Sequence, residues 1–190
     1  MKKDGRGQAS IFEGNDFQKL IDATVGENHK AIFQLAYWTA ARVGEVRRLP
    51  TRSVYDPKGK VLPVISFWSE ITKNEENRQV PVSKILKLIL ERYWVVVFPQ
   101  NFYLFPGKDP QFAIQSQSVD HAFRSAIARG GLEGKGYSLH SMRRTAITRM
   151  ATAGIATSVI RRVSGHKSLS SLQLYIEVND DQIKGAIATL

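Results

Sequence analysis

The chain has 190 residues, 43% of them hydrophobic, enough for one domain with a full core. Its 27 Lys and Arg against 17 Asp and Glu leave a net charge of +10, which calls for a polyanionic partner. With no cysteine, disulfides, a zinc knuckle and a thiol nucleophile are excluded, and the four histidines (His29, His121, His140 and His166) lack the close spacing of a zinc site.

Residues 1–14 read as a flexible lead-in or linker remnant, rich in Gly and Lys, ahead of a single folded domain over 15–190. The first eight residues hold no apolar signal core, and no apolar run approaches a membrane span, so nucleic acid is the expected partner rather than a membrane. Asn15 is placed to cap a helix with Phe17, Leu20, Ile21 and Val25 on one face. A second helix is expected from Asn28 to about Ala41, with Ile32, Leu35, Ala36 and Thr39 inward. The basic turn Arg47-Arg48-Leu49-Pro50 follows.

From Arg52 to Val82 the hydrophobic period shortens. Runs at Ser53–Tyr55, Val61–Trp68 and Arg78–Val82 are separated by Asp-Pro-Lys-Gly and Lys-Asn-Glu-Glu-Asn. They predict a small three-stranded antiparallel sheet, short because of Pro63 and Pro81. Ser83 should cap the next helix, with Ile85, Leu86, Ile89 and Tyr93 inward. Residues 98–117 read as loop, and a helix over 118–129 closes at Gly130-Gly131. Further helices are expected over 140–153, from Thr157 to Ser164, and from Ser168 onward. The tail from Asp180 to Leu190 carries an apolar stripe of Ile183, Ala186, Ile187 and Leu190. The fold class is therefore α+β, mainly helical with a small antiparallel sheet.

Several side chains could do chemistry. His140 and Arg143 lie three residues apart on one helix, so they share a face. They pair a group titrating near neutrality with a permanent planar cation. A capped helix with a surface arginine has the same spacing. Arg42 precedes Glu45, a carboxylate that can orient it, and Lys73 sits at the mouth of a hairpin. His166 follows Gly165, and Tyr175 comes nine residues later. At about 100° per residue these two would oppose each other on a continuous helix, so a break near Ser168 is required for them to converge.

Taken in order, Arg42, Lys73, His140-x-x-Arg143, Gly165-His166 and Tyr175 resemble the tyrosine recombinase, or phage integrase, family. The likeness covers residues 12 to 185. Ala41-Arg42-Val43-Gly44-Glu45 looks like the first arginine box, and Thr72-Lys73 with Arg78–Val82 like the lysine hairpin and the strand after it. Tyr103-Leu104-Phe105-Pro106 matches a recurrent loop, Leu139–Thr145 the second box, and Gly165–Tyr175 the third. Ser141 stands where an acidic residue is common in that family, and Arg144 where histidine is common.

The resemblance implies metal-independent DNA cleavage and rejoining, with no cofactor, through a 3′-phosphotyrosyl link on Tyr175. Arg42 and Arg143 would neutralise the attacked phosphate and His166 would hydrogen-bond it. His140 would take the tyrosine proton or donate to the phosphate, and Lys73 would protonate the leaving 5′ oxygen. Arg47, Arg144, Arg161, Arg162 and Lys167 are candidate contacts to the double-stranded DNA backbone. The family also implies a tetramer on DNA joined through the C-terminal helix, a separate N-terminal DNA-binding domain, and work at the nucleoid in a prokaryotic or phage cytoplasm. Two other readings fit the same residues: relaxation of DNA by a type IB topoisomerase, and a DNA-binding module without catalysis.

Overall fold

The computed structural model describes residues 8–73, 75–173 and 187. Helices α1 (Asp16–Ala23) and α2 (Glu27–Trp38) open the domain. The α2 period puts Ile32, Phe33, Leu35 and Ala36 at zero exposure, so this helix is the axis of the core. It packs on α4 (Lys84–Val97) and α6 (His140–Thr152), while α1 packs on α5 (Ser116–Arg129).

Residues 8–14, within the expected lead-in, lie against the domain. Phe12 is buried, with its ring 4.4 Å from Tyr137 and 5.5 Å from Phe17, and its N–H donates to Thr145 Oγ1 on α6. An aromatic ring at this position removes more apolar surface from water than a polar linker could, and that fixes the strand of chain around it.

The expected three-stranded sheet is corrected to two strands among the described residues. β1 (Val64–Phe67) and β2 (Arg78–Pro81) pair antiparallel, Ile65 opposite Val80 and Phe67 opposite Arg78. The run Ser53–Tyr55 does not join them. Pro50 starts a single 3₁₀ turn over Thr51–Ser53, and the Asp56 carboxylate then accepts the N–H groups of Lys58 and Lys60. That tight turn leaves Tyr55 paired with Val61 alone. In α4 the Ser83 hydroxyl accepts from Leu86 N as expected, but the buried face is Leu86, Leu90 and Tyr93, and Ile85 points to solvent.

The end of α2 aims Arg42. Ala40 adopts φ +51°, a left-handed conformation unusual for a residue with a Cβ. It turns the chain into Arg42, which caps α3 (Val43–Val46). At the far end α7 (Thr157–Ser164) packs on α6 and β2, and stops at Gly165 with φ +68°. α8 (Leu169–Gln173) restarts after the break expected near Ser168. Tyr175 and, apart from Ile187, the amphipathic tail lie outside the described residues.

Candidate active site

The N-terminus of α3, the start of β2, the body of α6 and the turn after α7 meet at one place. Arg42 Nη1 lies 2.9 Å from Glu45 Oε1, and Arg78 Nη2 lies 2.9 Å from Glu45 Oε2. Glu45 Oε2 also accepts the Arg42 N–H at 3.2 Å. Glu45 is only 1% exposed. Burial alone would push its carboxyl up, but the Arg78 and Arg42 guanidiniums overcome this and hold it below the ordinary carboxylate range. It is therefore an anion whose work is to orient two cations.

Arg143 enters from α6 and is buried. Its Nη1 donates to Ala40 O at 2.8 Å and to Ser164 O at 2.7 Å. Its Nη2 lies 3.2 Å from Nδ1 and 3.1 Å from Nε2 of His166. One guanidinium thus ties together the end of α2, the end of α7 and the imidazole. The Ser164 hydroxyl lies 2.8 Å from His166 Nδ1. His166 is half-buried among cations. Burial, then Arg143, Arg42 and Arg78 push its pKa down to about 4, with Glu45 opposing, so the ring is neutral at pH 7.

The site opens into a cleft of about 810 Å³ between the β-hairpin and α7. Thr72, Asn77 and Arg78 line one wall; Arg161, Arg162 and Lys167 line the other. Lys73 is exposed on the hairpin turn directly after Thr72. The Thr72 hydroxyl accepts Glu76 N–H at 3.2 Å, and Asn77 Oδ1 accepts Ser69 N–H at 2.8 Å, so the base of that turn is braced. Arg48 Nη2 donates to Ile71 O, linking the hairpin to α3.

The structure thus brings Arg42, Arg143 and His166 together. His140 heads α6 one turn before Arg143, exposed, with its N–H on Ser138 Oγ. Arg161, Arg162 and Lys167 are exposed around the cleft. Arg47 donates to Ile114 O and Arg144 to Ala9 O, so each makes an internal bond that restrains its guanidinium. Tyr175 falls outside the described residues.

Sequence reasoning passed over Arg78 and Ser164 as site residues. The signal for Arg78 was its phase: β2 buries Arg78 and Val80 while Gln79 and Pro81 face out, so a charged residue occupies an inward position. For Ser164 no pattern existed, since its part is played largely by a main-chain carbonyl.

Residues 11–182 match the sequence profile of the phage integrase family. Among curated proteins, a tyrosine recombinase of Thermosipho africanus (strain TCF52B) is 24% identical over 179 residues, covering 93% of this chain and 60% of that protein. Tyrosine recombinase XerA of Pyrococcus horikoshii is 24% identical over 175 residues, 91% of this chain and 58% of that protein. The chain therefore spans somewhat over half the length of these relatives. The crystal structure of XerA recombinase superposes with a TM-score of 0.71 at 20% identity, over 96% of this chain and 66% of that one. The pre-cleavage complex of XerH site-specific recombinase with its difH substrate gives 0.73 at 14% identity, over 98% of this chain and 55% of that one. These likenesses carry the fold. The profile match spans nearly all of the chain and takes in the convergent arginines and histidine, and on that ground the chain belongs to the phage integrase family.

Proposed function

We propose that this chain is the catalytic domain of a site-specific DNA recombinase. It cleaves and rejoins double-stranded DNA through a 3′-phosphotyrosyl intermediate on Tyr175. The observation that supports this most directly is the convergence of Arg42 and Arg143 on a neutral His166, which lines a cleft together with Arg78, Arg161, Arg162 and Lys167.

In the forward step the Tyr175 oxygen attacks phosphorus and the bond to the 5′ oxygen breaks. A tyrosine with a pKa of about 10 is a poor nucleophile at neutral pH, so its proton must leave as the bond forms. His140, exposed at the head of α6, takes that proton. The crowded phosphorane carries extra negative charge on its non-bridging oxygens, and Arg42 and Arg143 stabilise it more than the ground state. His166 supplies a hydrogen bond to one of those oxygens through the ring nitrogen that carries its proton. Lys73 on the exposed hairpin turn gives a proton to the leaving 5′ oxygen. A 5′ hydroxyl from a second strand then reverses the sequence: it loses its proton, attacks the phosphotyrosine and restores the tyrosine.

The cleft-lining Arg161, Arg162 and Lys167 contact the DNA backbone in this reading, giving salt-dependent and sequence-independent affinity. The domain works as a tetramer on DNA joined through its C-terminal helix, at the nucleoid in a prokaryotic or phage cytoplasm. The test is trapping on nicked duplexes built from the DNA that flanks its gene. Wild type should accumulate a covalent complex, and Tyr175→Phe should not. A complex that persists in Tyr175→Phe would reject the nucleophile, whereas efficient relaxation of a plasmid lacking those sequences would favour a topoisomerase. Binding without any covalent product would leave a DNA-binding module.

A further inference from the structure

Arg78 is absent from the residues that the reaction above uses. It is nonetheless among the most buried charges near the site, at 8% exposure. A guanidinium in that position costs desolvation energy and persists only where it is well partnered. Its Nε makes no hydrogen bond among the described residues, but its other two nitrogens and its face have specific partners. Nη2 holds Glu45 at 2.9 Å, Nη1 donates to Ser164 O at 3.4 Å, and the guanidinium carbon lies 4.4 Å from the centre of the Phe67 ring opposite it on β1. Ser164 O is the same carbonyl that Arg143 holds. Glu45 is the same carboxylate that holds Arg42.

Gly165 completes the fit. A Cβ there would stand 2.3 Å from Arg78 Nη1, so the Arg78 side chain would have to shift, and the backbone is in the left-handed region that favours glycine. The turn that carries His166 is therefore moulded onto the Arg78 side chain.

We propose that Arg78 is a positioning residue of the strand-transfer site. It fixes the Arg42 guanidinium through Glu45, and it fixes the Ser164–Gly165 turn behind His166. One buried side chain sets the spacing between the first and third boxes. This rests on the recombinase reading for its kinetic consequence but not for its structural one. Arg78 is assigned a positioning role because Nη2 and Nη1 are taken by Glu45 and Ser164 O and the guanidinium lies over Phe67, while the side chain also borders the cleft; the affinity measurement below separates this role from that of a phosphate ligand.

Arg78→Lys preserves the charge but cannot fork between Glu45 and Ser164 O while lying on a ring. Arg78→Met removes the charge and keeps the stem. Three quantities should be read for both: the covalent-complex rate on the nicked duplexes, the affinity for the same DNA, and the ¹⁵N side-chain NMR signal of the Arg42 guanidinium in the protein alone. In Arg78→Lys we expect a folded protein whose covalent-complex rate falls about 100-fold, the size of effect that a displacement of about 1 Å at a reacting centre produces. Affinity should stay within about threefold, and the Arg42 signal should lose its hydrogen-bonded, slowly rotating form. Arg78→Met should show the same changes, more severely.

An Arg78→Lys protein that cleaves within about threefold of wild type would overturn the proposal, because charge alone would suffice. Affinity falling in step with rate would also overturn it, making Arg78 a plain phosphate contact. If wild type itself forms no covalent complex, the recombinase reading fails. The Arg42 signal then decides the matter alone: unchanged in both variants, it refutes the positioning role, and altered, it upholds it.

Discussion

Replacing Arg143 tests the site and the fold at once. Its Nη1 is the donor for two buried carbonyls, Ala40 O and Ser164 O, and its Nη2 meets His166. Truncation to alanine removes the Arg143 donor from Ala40 O and leaves Ser164 O with only the longer 3.4 Å bond from Arg78, at about 1–3 kcal/mol each. It also releases Ala40, whose left-handed backbone this bond helps to hold. A destabilisation of about 4 kcal/mol follows, a large share of the roughly 5–15 kcal/mol that a domain possesses. For a chain of this length, about 2–4 °C is lost per kcal/mol, so Arg143→Ala should melt about 8–16 °C below wild type. Arg143→Lys, which can reach one carbonyl but not three partners, should fall between. At a temperature where all three are folded, both variants should lose about 10²–10³-fold in covalent-complex formation while keeping most of their DNA affinity. Differential scanning fluorimetry and the trapping assay give the two numbers. A melting loss under about 3 °C for Arg143→Ala would refute the claim that this guanidinium knots three elements together.

Arg42 offers the contrast. Its side chain is 25% exposed and tied only to Glu45 among the described residues, so Arg42→Ala should cost under about 2 kcal/mol in chemical denaturation yet lose cleavage as severely as Arg143→Ala. The His166 ring predicts a pH dependence. Its folded pKa of about 4 lies below the unfolded value of about 6.5, so the unfolded chain binds the proton more readily. The stabilisation is present above pH 6.5 and is lost as pH falls through about 4, amounting to about 2 kcal/mol after allowance for its partial exposure. Urea midpoints should therefore fall less steeply over that range in His166→Gln, and equal slopes would count against the buried neutral ring. Phe12→Ala should destabilise by about 3–5 kcal/mol because the ring is enclosed by Phe17 and Tyr137. A loss below about 1 kcal/mol would mean that residues 8–14 are only a tether.

The sequence determined the main helices and the order of the boxes. Its 3.6-residue periods located α2, α4 and α6 to within a few residues, because a buried stripe leaves a pattern that water and packing enforce locally. The breaks were legible too. Gly165, and the chemistry of the serines after it, announced that His166 precedes a new helix start. Long-range partnership was not legible. That Arg78 serves Glu45, 33 positions earlier in the chain, follows from the register of β2 against β1 and from α7 lying across them. The sequence gives a period for each element but no distance between elements. Ala40 was invisible for a related reason: no alanine advertises a left-handed turn, and here a guanidinium from α6 and the surrounding core impose it. The third strand failed because local turn chemistry at Pro50 and Asp56 outweighed β-propensity over Ser53–Tyr55. What folding alone decided, then, was which cations are enclosed: Arg143 and Arg78 are 4% and 8% exposed, while the Arg42 side chain keeps 25% of its surface exposed. That choice depends on desolvation, and desolvation is a property of the packed structure rather than of any residue in the chain.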